Sequence, residues 1–212
     1  IISPTQVIAN DLINNFNVPK KKIKIINNPA EINKIKKLSN RQVRRILPKN
    51  YLIAVGRLTF QKNYEFMINS FYHFQKNNDN CKLIILGQGP DKISIVNQIR
   101  KLGLTKKVEL IGYQSNPFKY IKYAKMLVLT SRWEGYPNVL EQGMALKKKI
   151  ISTSCYGSAE AVLGDNGVIL KTENPITFAK SMSDVYKSKK YFEKRYNTKI
   201  INNNIKEFIE LF

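Results

Sequence analysis

Two short stretches of this sequence place reactive residue types just ahead of positions where a helix can begin. Gly56-Arg57-Leu58-Thr59-Phe60-Gln61-Lys62-Asn63 gathers a glycine, an arginine and a lysine. That set suits a diphosphate: glycine lets backbone approach the ligand, Arg57 offers a forked pair of N–H donors, and Lys62 supplies a mobile point charge. Ser131-Arg132-Trp133-Glu134-Gly135-Tyr136-Pro137-Asn138-Val139-Leu140-Glu141-Gln142 adds a carboxylate beside a helix start. Free N–H groups of that first turn, at Asn138, Val139 and Leu140, can bind phosphate, while Glu134 can accept hydrogen bonds from sugar hydroxyls. Each stretch also has a plainer explanation. A cationic loop can simply be solvated, and an acid near a helix N-terminus is favourable by ~0.3 to 1 kcal/mol with no ligand.

Other motifs narrow the chemistry. Gly87-Gln88-Gly89-Pro90 resembles the start of a dinucleotide fingerprint, but Lys92 stands where the third glycine belongs and no acid follows at the ribose position. The glycine-lysine-serine or threonine triplet of a P-loop is also missing. Cys81, Cys155 and the lone His73 are too few for a zinc site or a Cys-His nucleophile pair, so neither metal nor thiol chemistry is expected.

The elements that must position these residues follow from hydrophobic pattern. Six short, nearly continuous apolar runs, at 51–55, 82–86, 108–111, 126–130, 149–152 and 168–170, read as buried parallel strands. Amphipathic stretches at 63–76, 91–102 and 137–146 read as helices between them, the first with Phe66, Phe71 and Phe74 near one face. Right-handed crossovers then give a doubly wound α/β sheet in the order 3-2-1-4-5-6, with a ligand crevice where the order reverses between strands 1 and 4. The loops starting at Gly56 and Ser131 should line that crevice. In this topology Cys81 and Cys155 lie at opposite strand ends more than ~14 Å apart, beyond disulfide reach. Ahead of Tyr51, a helix at 5–16, a short run at 23–26 and a stop at Asn28-Pro29 read as a connector. At the other end an apolar stripe at 200–212 has helical spacing.

Composition sets the outer bounds. The 212 residues, 43% apolar, can bury one substantial core plus a small appendage. No run approaches the roughly eighteen apolar residues of a membrane span, the start lacks a secretory pattern, and two lone thiols suit a reducing, cytoplasmic setting. Thirty-six Lys and Arg against fifteen Asp and Glu leave a charge of +21, which favours anionic partners without naming one. Lys20-Lys21-Lys22 and Lys147-Lys148-Lys149 also fit compositional drift onto solvated faces.

Taken together, Gly56-Arg57 with Lys62-Asn63, Leu86-Gly87-Gln88-Gly89-Pro90, Gly112-Tyr113 and the stretch from Ser131 to Ala145 resemble the C-terminal domain of the group 1 (family 4) retaining glycosyltransferases. The similarity continues through Ile151-Ser152-Thr153-Ser154-Cys155-Tyr156-Gly157-Ser158-Ala159-Glu160 and Asn166-Gly167-Val168-Ile169-Leu170, while Ser3 and Asn28-Pro29 resemble the family's connector. The resemblance implies a six-stranded Rossmann-like sheet of the GT-B architecture, with the acceptor-binding N-terminal domain missing from this sequence. It divides the chain into a connector at 1–50, a nucleotide-sugar-binding domain at 51–187 and a C-terminal helical segment at 188–212.

By position, the resemblance implies that Gly56, Arg57 and Lys62, with backbone amides of Asn138, Val139 and Leu140, hold the donor diphosphate. Glu134, the candidate catalytic residue, would hold the hydroxyls of the transferred sugar, and Gly87, Gly89 and Tyr113 would contact the nucleotide. The family's second glutamate falls on Gln142 here, with Glu141 one residue early. Adjacent helical positions point about 100° apart, so only one of the two can meet the ribose, either Gln142 through its amide or Glu141 after a local shift.

Members of the family use nucleoside-diphosphate sugars without a catalytic metal or other cofactor. The implied function is transfer from a donor, UDP-linked by expectation, to a glycan or lipid-linked acceptor in surface polysaccharide or lipopolysaccharide synthesis, with peripheral contact at the inner face of the cytoplasmic membrane. Two rivals stand beside it. One is a fragment that binds donor but transfers nothing by itself. The other is a basic nucleic-acid binder, against which the aromatics fall at core spacing and no RNA- or DNA-binding motif is visible, so no nucleic-acid partner is expected.

Overall fold

The computed structural model describes residues 1–28 and 30–188. Six parallel strands, β3 (Tyr51–Val55), β4 (Lys82–Leu86), β5 (Val108–Gly112), β6 (Met126–Leu129), β7 (Lys149–Thr153) and β8 (Val168–Leu170), form one sheet in the order β5-β4-β3-β6-β7-β8. This is the 3-2-1-4-5-6 order expected from the apolar runs, with strand ends shifted by a residue. In-register pairing such as Ile53 with Ile84 and Leu127 with Ile150 places these β-branched and leucine side chains in two-sided cover.

Side chains alternate between two cores with the period of a strand. Leu52, Ala54, Leu83 and Ile85 face helices α3 (Tyr64–Gln75), α4 (Lys92–Lys101) and α8 (Pro175–Lys187), whose Phe71, Ile95 and Phe178 complete one core. Tyr51, Ile53, Ile84 and Leu86 face α5 (Phe118–Tyr123), α6 (Asn138–Ala145) and α7 (Ser158–Leu163), which contribute Ile121, Leu140 and Leu163 to the other. The expected phenylalanine face of α3 is the one buried, and Phe66 meets Phe178 edge-on at 5.3 Å. His73 lies on α3 beside Tyr72, with ring centroids 5.3 Å apart.

The connector is more ordered than its sequence suggests. Strands β1 (Ile2–Ser3) and β2 (Lys24–Ile25) pair in parallel around α1 (Gln6–Phe16), which is capped by the Thr5 hydroxyl accepting from Ile8 N at 3.2 Å. A further helix, α2 (Ile32–Ser39), was not anticipated inside the connector. Its Ile32 and Ile35 close over Ala145, Leu146 and Phe118, so tertiary cover of a narrow stripe stabilises a short, lysine-rich segment. Pro29 and the apolar stripe at 200–212 lie outside the described residues.

Cys81 and Cys155 are both free and buried. Burial pushes each thiol up to about 11, partly offset by hydrogen bonds from Tyr186 at Cys81 and from Thr153 at Cys155. Iodoacetamide at about pH 8 should therefore leave both thiols unmodified in the folded chain and label both after unfolding. Because folding raises these values, their contribution to stability is complete below the ordinary 9.0 and should be lost as pH rises through about 11, which alkaline thermal melts will show.

Candidate donor-binding site

The loops that follow β3 and β6 meet at the reversal of strand order and are tied together by polar contacts. The hydroxyl of Thr130, buried at the end of β6, donates to the carbonyls of Lys62 at 3.1 Å and Asn63 at 3.2 Å. Arg132 N donates to Gln61 O at 2.8 Å, and Gln61 Nε2 returns a bond to Trp133 O at 2.9 Å. Thr153 at the end of β7 adds a third support, its hydroxyl donating to Ser131 O at 2.8 Å.

Within this frame Lys62 Nζ and Glu134 Oε1 form an ion pair. Only 17% of the lysine side chain and 8% of the glutamate side chain are exposed, so each charge depends on the other for the hydration it has lost. The Ser131 hydroxyl donates to the same Oε1 at 2.6 Å, and the Ser158 hydroxyl fixes the Glu134 backbone by donating to its carbonyl at 2.6 Å. Oε2 has only a 3.5 Å contact from Gln61 Nε2, which leaves acceptor capacity for a ligand hydroxyl. Lys62, expected as a mobile charge, is thus held in place.

Arg57 has the opposite character. It is exposed and makes no ion pair or side-chain hydrogen bond among the described residues. The backbone beneath it is set by the glycines that follow β4. A Cβ on Gly87 would lie 1.8 Å from Gly56 O, and one on Gly89 would lie 2.3 Å from Leu58 O. These glycines let the two loops stack, locked by Gly56 N to Leu86 O and Leu58 N to Gln88 O, each 3.0 Å. A bond from Gly87 N to Gly112 O at 2.9 Å joins the end of β5, where Tyr113 stands 68% exposed. The structure therefore gives Gly87 and Gly89 a role in loop packing, and Tyr113 is free to meet a ligand.

At the start of α6, two of the three amides expected to cradle phosphate are already engaged. Asn138 N donates to Tyr136 O at 2.8 Å and Leu140 N to Pro137 O at 2.9 Å. The side chains of Val139 and Leu140 are buried, while Asn138 is exposed and its Oδ1 accepts from Asn28 Nδ2 of the connector at 3.3 Å. Glu141 turns inward: it is 6% exposed and accepts from Tyr136 Oη at 2.6 Å, and burial together with this carboxylate holds the Tyr136 phenol well above its ordinary range. Gln142, one position further round, is half-buried.

Sequence reasoning missed the residues that hold the site rather than present it. Thr130, Gln61 and Ser158 carried no signal because an isolated hydroxyl or amide has no spacing pattern. The helix expected at 5–16 is present as α1, but nothing in its sequence places it at the site: Ile8 Cδ1 lies 3.3 Å from an ideal Cβ on Gly135, and Val7 Cγ2 lies 3.2 Å from one on Gly157, so α1 packs directly over the loops after β6 and β7. A cavity of about 1180 Å³ is bounded by α3, the loops after β6 and β7 and the start of α8; Ser131, Arg132 and Trp133 line it, but Arg57, Lys62 and Glu134 do not. Among the described residues, no three His, Cys, Asp or Glu side chains group closely enough to hold a metal ion, and no helix is long and apolar enough to cross a membrane.

The doubly wound sheet thus carries an exposed arginine and a lysine–glutamate ion pair at its switch point, the place where ligands bind in open sheets of this kind. Residues 36–207 match the family described as glycosyl transferases group 1, and the chain belongs to it. An uncharacterised glycosyltransferase of Methanocaldococcus jannaschii is 39% identical over 168 residues, covering 77% of this chain and 41% of that protein. A Campylobacter jejuni N-acetylgalactosaminyltransferase acting on a diphospho-undecaprenol-linked sugar is 29% identical over 166 residues, covering 77% of this chain and 44% of the relative. The chain therefore spans less than half the length of these relatives. Anabaena HepE, solved with UDP and glucose, shares the fold with a TM-score of 0.81 at 18% identity, over 100% of this chain and 62% of its own. The expected α/β sheet is thus the GT-B type.

Two substitutions test the frame of the site. Lys62→Met leaves Glu134 buried without its partner and should destabilise by about 3–5 kcal/mol, whereas combining it with Glu134→Leu should recover most of that loss; urea unfolding of both single variants and the double variant measures the coupling. Gly87→Ala forces the loops after β3 and β4 apart, and a loss of about 1–3 kcal/mol by thermal melting is expected.

Proposed function

We propose that this chain is the donor-binding part of a retaining glycosyltransferase, which moves a sugar from a nucleoside diphosphate to a glycan or lipid-linked acceptor in surface polysaccharide or lipopolysaccharide synthesis. The observation that carries the proposal is the Lys62–Glu134 pair at the switch point of the sheet, with Arg57 exposed in the same loop as Lys62 and in no ion pair among the described residues. Arg57 binds the diphosphate through its forked donors. Lys62, while holding Glu134, has ammonium protons left to offer the same group, so two cations stabilise the leaving diphosphate without a metal or other cofactor. Glu134 Oε2 accepts from a hydroxyl of the transferred sugar and fixes its orientation.

The geometry also favours one nucleotide contact over its neighbour. Glu141 is committed to Tyr136, so Gln142 is the better ribose partner through its amide. Tyr113, exposed at the end of β5, offers a ring to the base. Uridine is the base to test first, since HepE was solved with UDP. Transfer also requires an acceptor held against the donor. Because the chain spans only 41% and 44% of two relatives, binding without turnover is the second reading for the chain alone.

Calorimetric titration with UDP, GDP and their sugar derivatives, in the presence and absence of EDTA, tests the proposal. One base should bind with unchanged affinity in EDTA, and Arg57→Ala should weaken it by roughly 1.5–3 kcal/mol. A folded chain that binds no nucleotide overturns the donor reading, and binding abolished by EDTA overturns metal independence.

A further inference from the structure

Away from the crevice, the segment joining α2 to β3 carries an aliphatic side chain that the fold leaves uncovered. Between Glu31 and Asn50 the sequence has seven cations and one acid, and α5 with the two residues after it adds Lys119, Lys122 and Lys125 without an acid. Val43 and Leu47 of the joining segment pack against the core on the α5 and α6 side, so the segment is anchored. Ile46 between them is 96% exposed, and Tyr123 at the end of α5 is 54% exposed. A cleft of about 400 Å³ separates the segment from Tyr123, with Arg45 and Lys49 on its wall.

The charges around these two side chains are poorly neutralised. Arg41, Arg44 and Lys49 are exposed and make no ion pair among the described residues. Glu31 is taken by Lys34 at 2.9 Å, and Glu109 is shared between Arg45 at 2.6 Å and Lys82 at 3.2 Å. Crowding is felt deeper as well: burial, and then the charges of Lys125 and Lys122, push the Lys148 ammonium below its ordinary range. A polyanion alone would match the cations but would give Ile46 nothing. An anionic bilayer surface satisfies both, since phosphate headgroups meet the arginines while an aliphatic side chain and a tyrosine enter the interface.

We propose that the surface formed by residues 41–49 and the end of α5 docks on an anionic lipid membrane, with Ile46 inserted and Arg41, Arg44 and Lys49 on headgroups. This surface lies at the amino end of the sheet, where Lys125 N bonds Tyr51 O at 2.9 Å, and the donor crevice lies at the carboxyl end. Membrane contact therefore leaves the crevice open to nucleotide. The inference rests on the proposed use of a lipid-linked acceptor for its purpose, and its test does not depend on it.

Sedimentation of the 212-residue chain with phosphatidylcholine vesicles, and with vesicles that also contain phosphatidylglycerol, decides the matter. Binding is expected only with the anionic lipid. The Arg41→Gln, Arg44→Gln double variant should lose affinity by roughly fivefold per cation removed. Ile46→Ser should lose affinity at unchanged charge, while its UDP titration matches the unsubstituted chain and shows that the fold and the crevice are intact. Equal binding to both vesicles, no binding to either, or full retention by Ile46→Ser each overturns the proposal. So does tighter binding to an oligonucleotide of the same charge density that is insensitive to Ile46→Ser. Nucleotide binding without vesicle binding would sink this inference alone, and vesicle binding without nucleotide binding would sink the donor reading alone.

Discussion

The contact between Lys62 and Glu134 is the constraint around which the crevice is organised. Two opposite charges, both largely removed from water, cannot be left apart, so the loops that carry them must stay together at the reversal of strand order. The remaining bonds follow from that requirement. Ser131 completes the coordination of Oε1, Ser158 fixes the backbone of Glu134, and Thr130 and Gln61 hold the carbonyls on either side. A parallel sheet suits this arrangement because every strand delivers its following loop to the same edge. Four loops, after β3, β4, β6 and β7, can then support one another without any long connection.

The glycines serve the same end by a different route. Gly87 and Gly89 contribute no side-chain chemistry; they remove volume so that the loop after β4 can lie against the loop after β3. That contact leaves Arg57 standing on a firm backbone with its guanidinium unspent. A cation tied up in an internal pair would have to break that pair before binding a ligand. Arg57 has no such pair to break among the described residues, whereas Lys62 is held by Glu134, so in the proposed donor site the first would serve recognition and the second support.

The sheet was legible in sequence because its strands are buried on both faces and read as uninterrupted apolar runs, which gave their number, while the right-handed crossovers of a doubly wound sheet gave their order. Helix α2 was not legible, since Ile32 and Ile35 become a buried stripe only when Ala145 and Phe118 arrive from elsewhere in the chain. The site divides in the same way. Arg57, Lys62 and Glu134 could be nominated from residue type and position, but the pairing of Lys62 with Glu134 spans 72 positions and has no sequence pattern. The engagement of Glu141 by Tyr136 depends on the turn at Pro137, and the occupied amides of Asn138 and Leu140 depend on that same turn. Neither is visible in composition or spacing.

The distribution of charge gives the excess of cations a structural logic. A diphosphate carries few charges, and in the proposed donor site only Arg57 and Lys62 would meet them, Lys62 being already paired with Glu134. The sequence holds thirty-four other Lys and Arg residues, the thirty-six less these two. Solvated cations near a small anionic ligand raise its local concentration but give little specificity, because salt screens them over about 8–10 Å. The concentration of Arg41, Arg44 and Lys49 around an uncovered Ile46, at the sheet edge opposite the crevice, is a separate arrangement. It puts unpaired charge and an exposed aliphatic group on one surface, where each adds to what the other can bind.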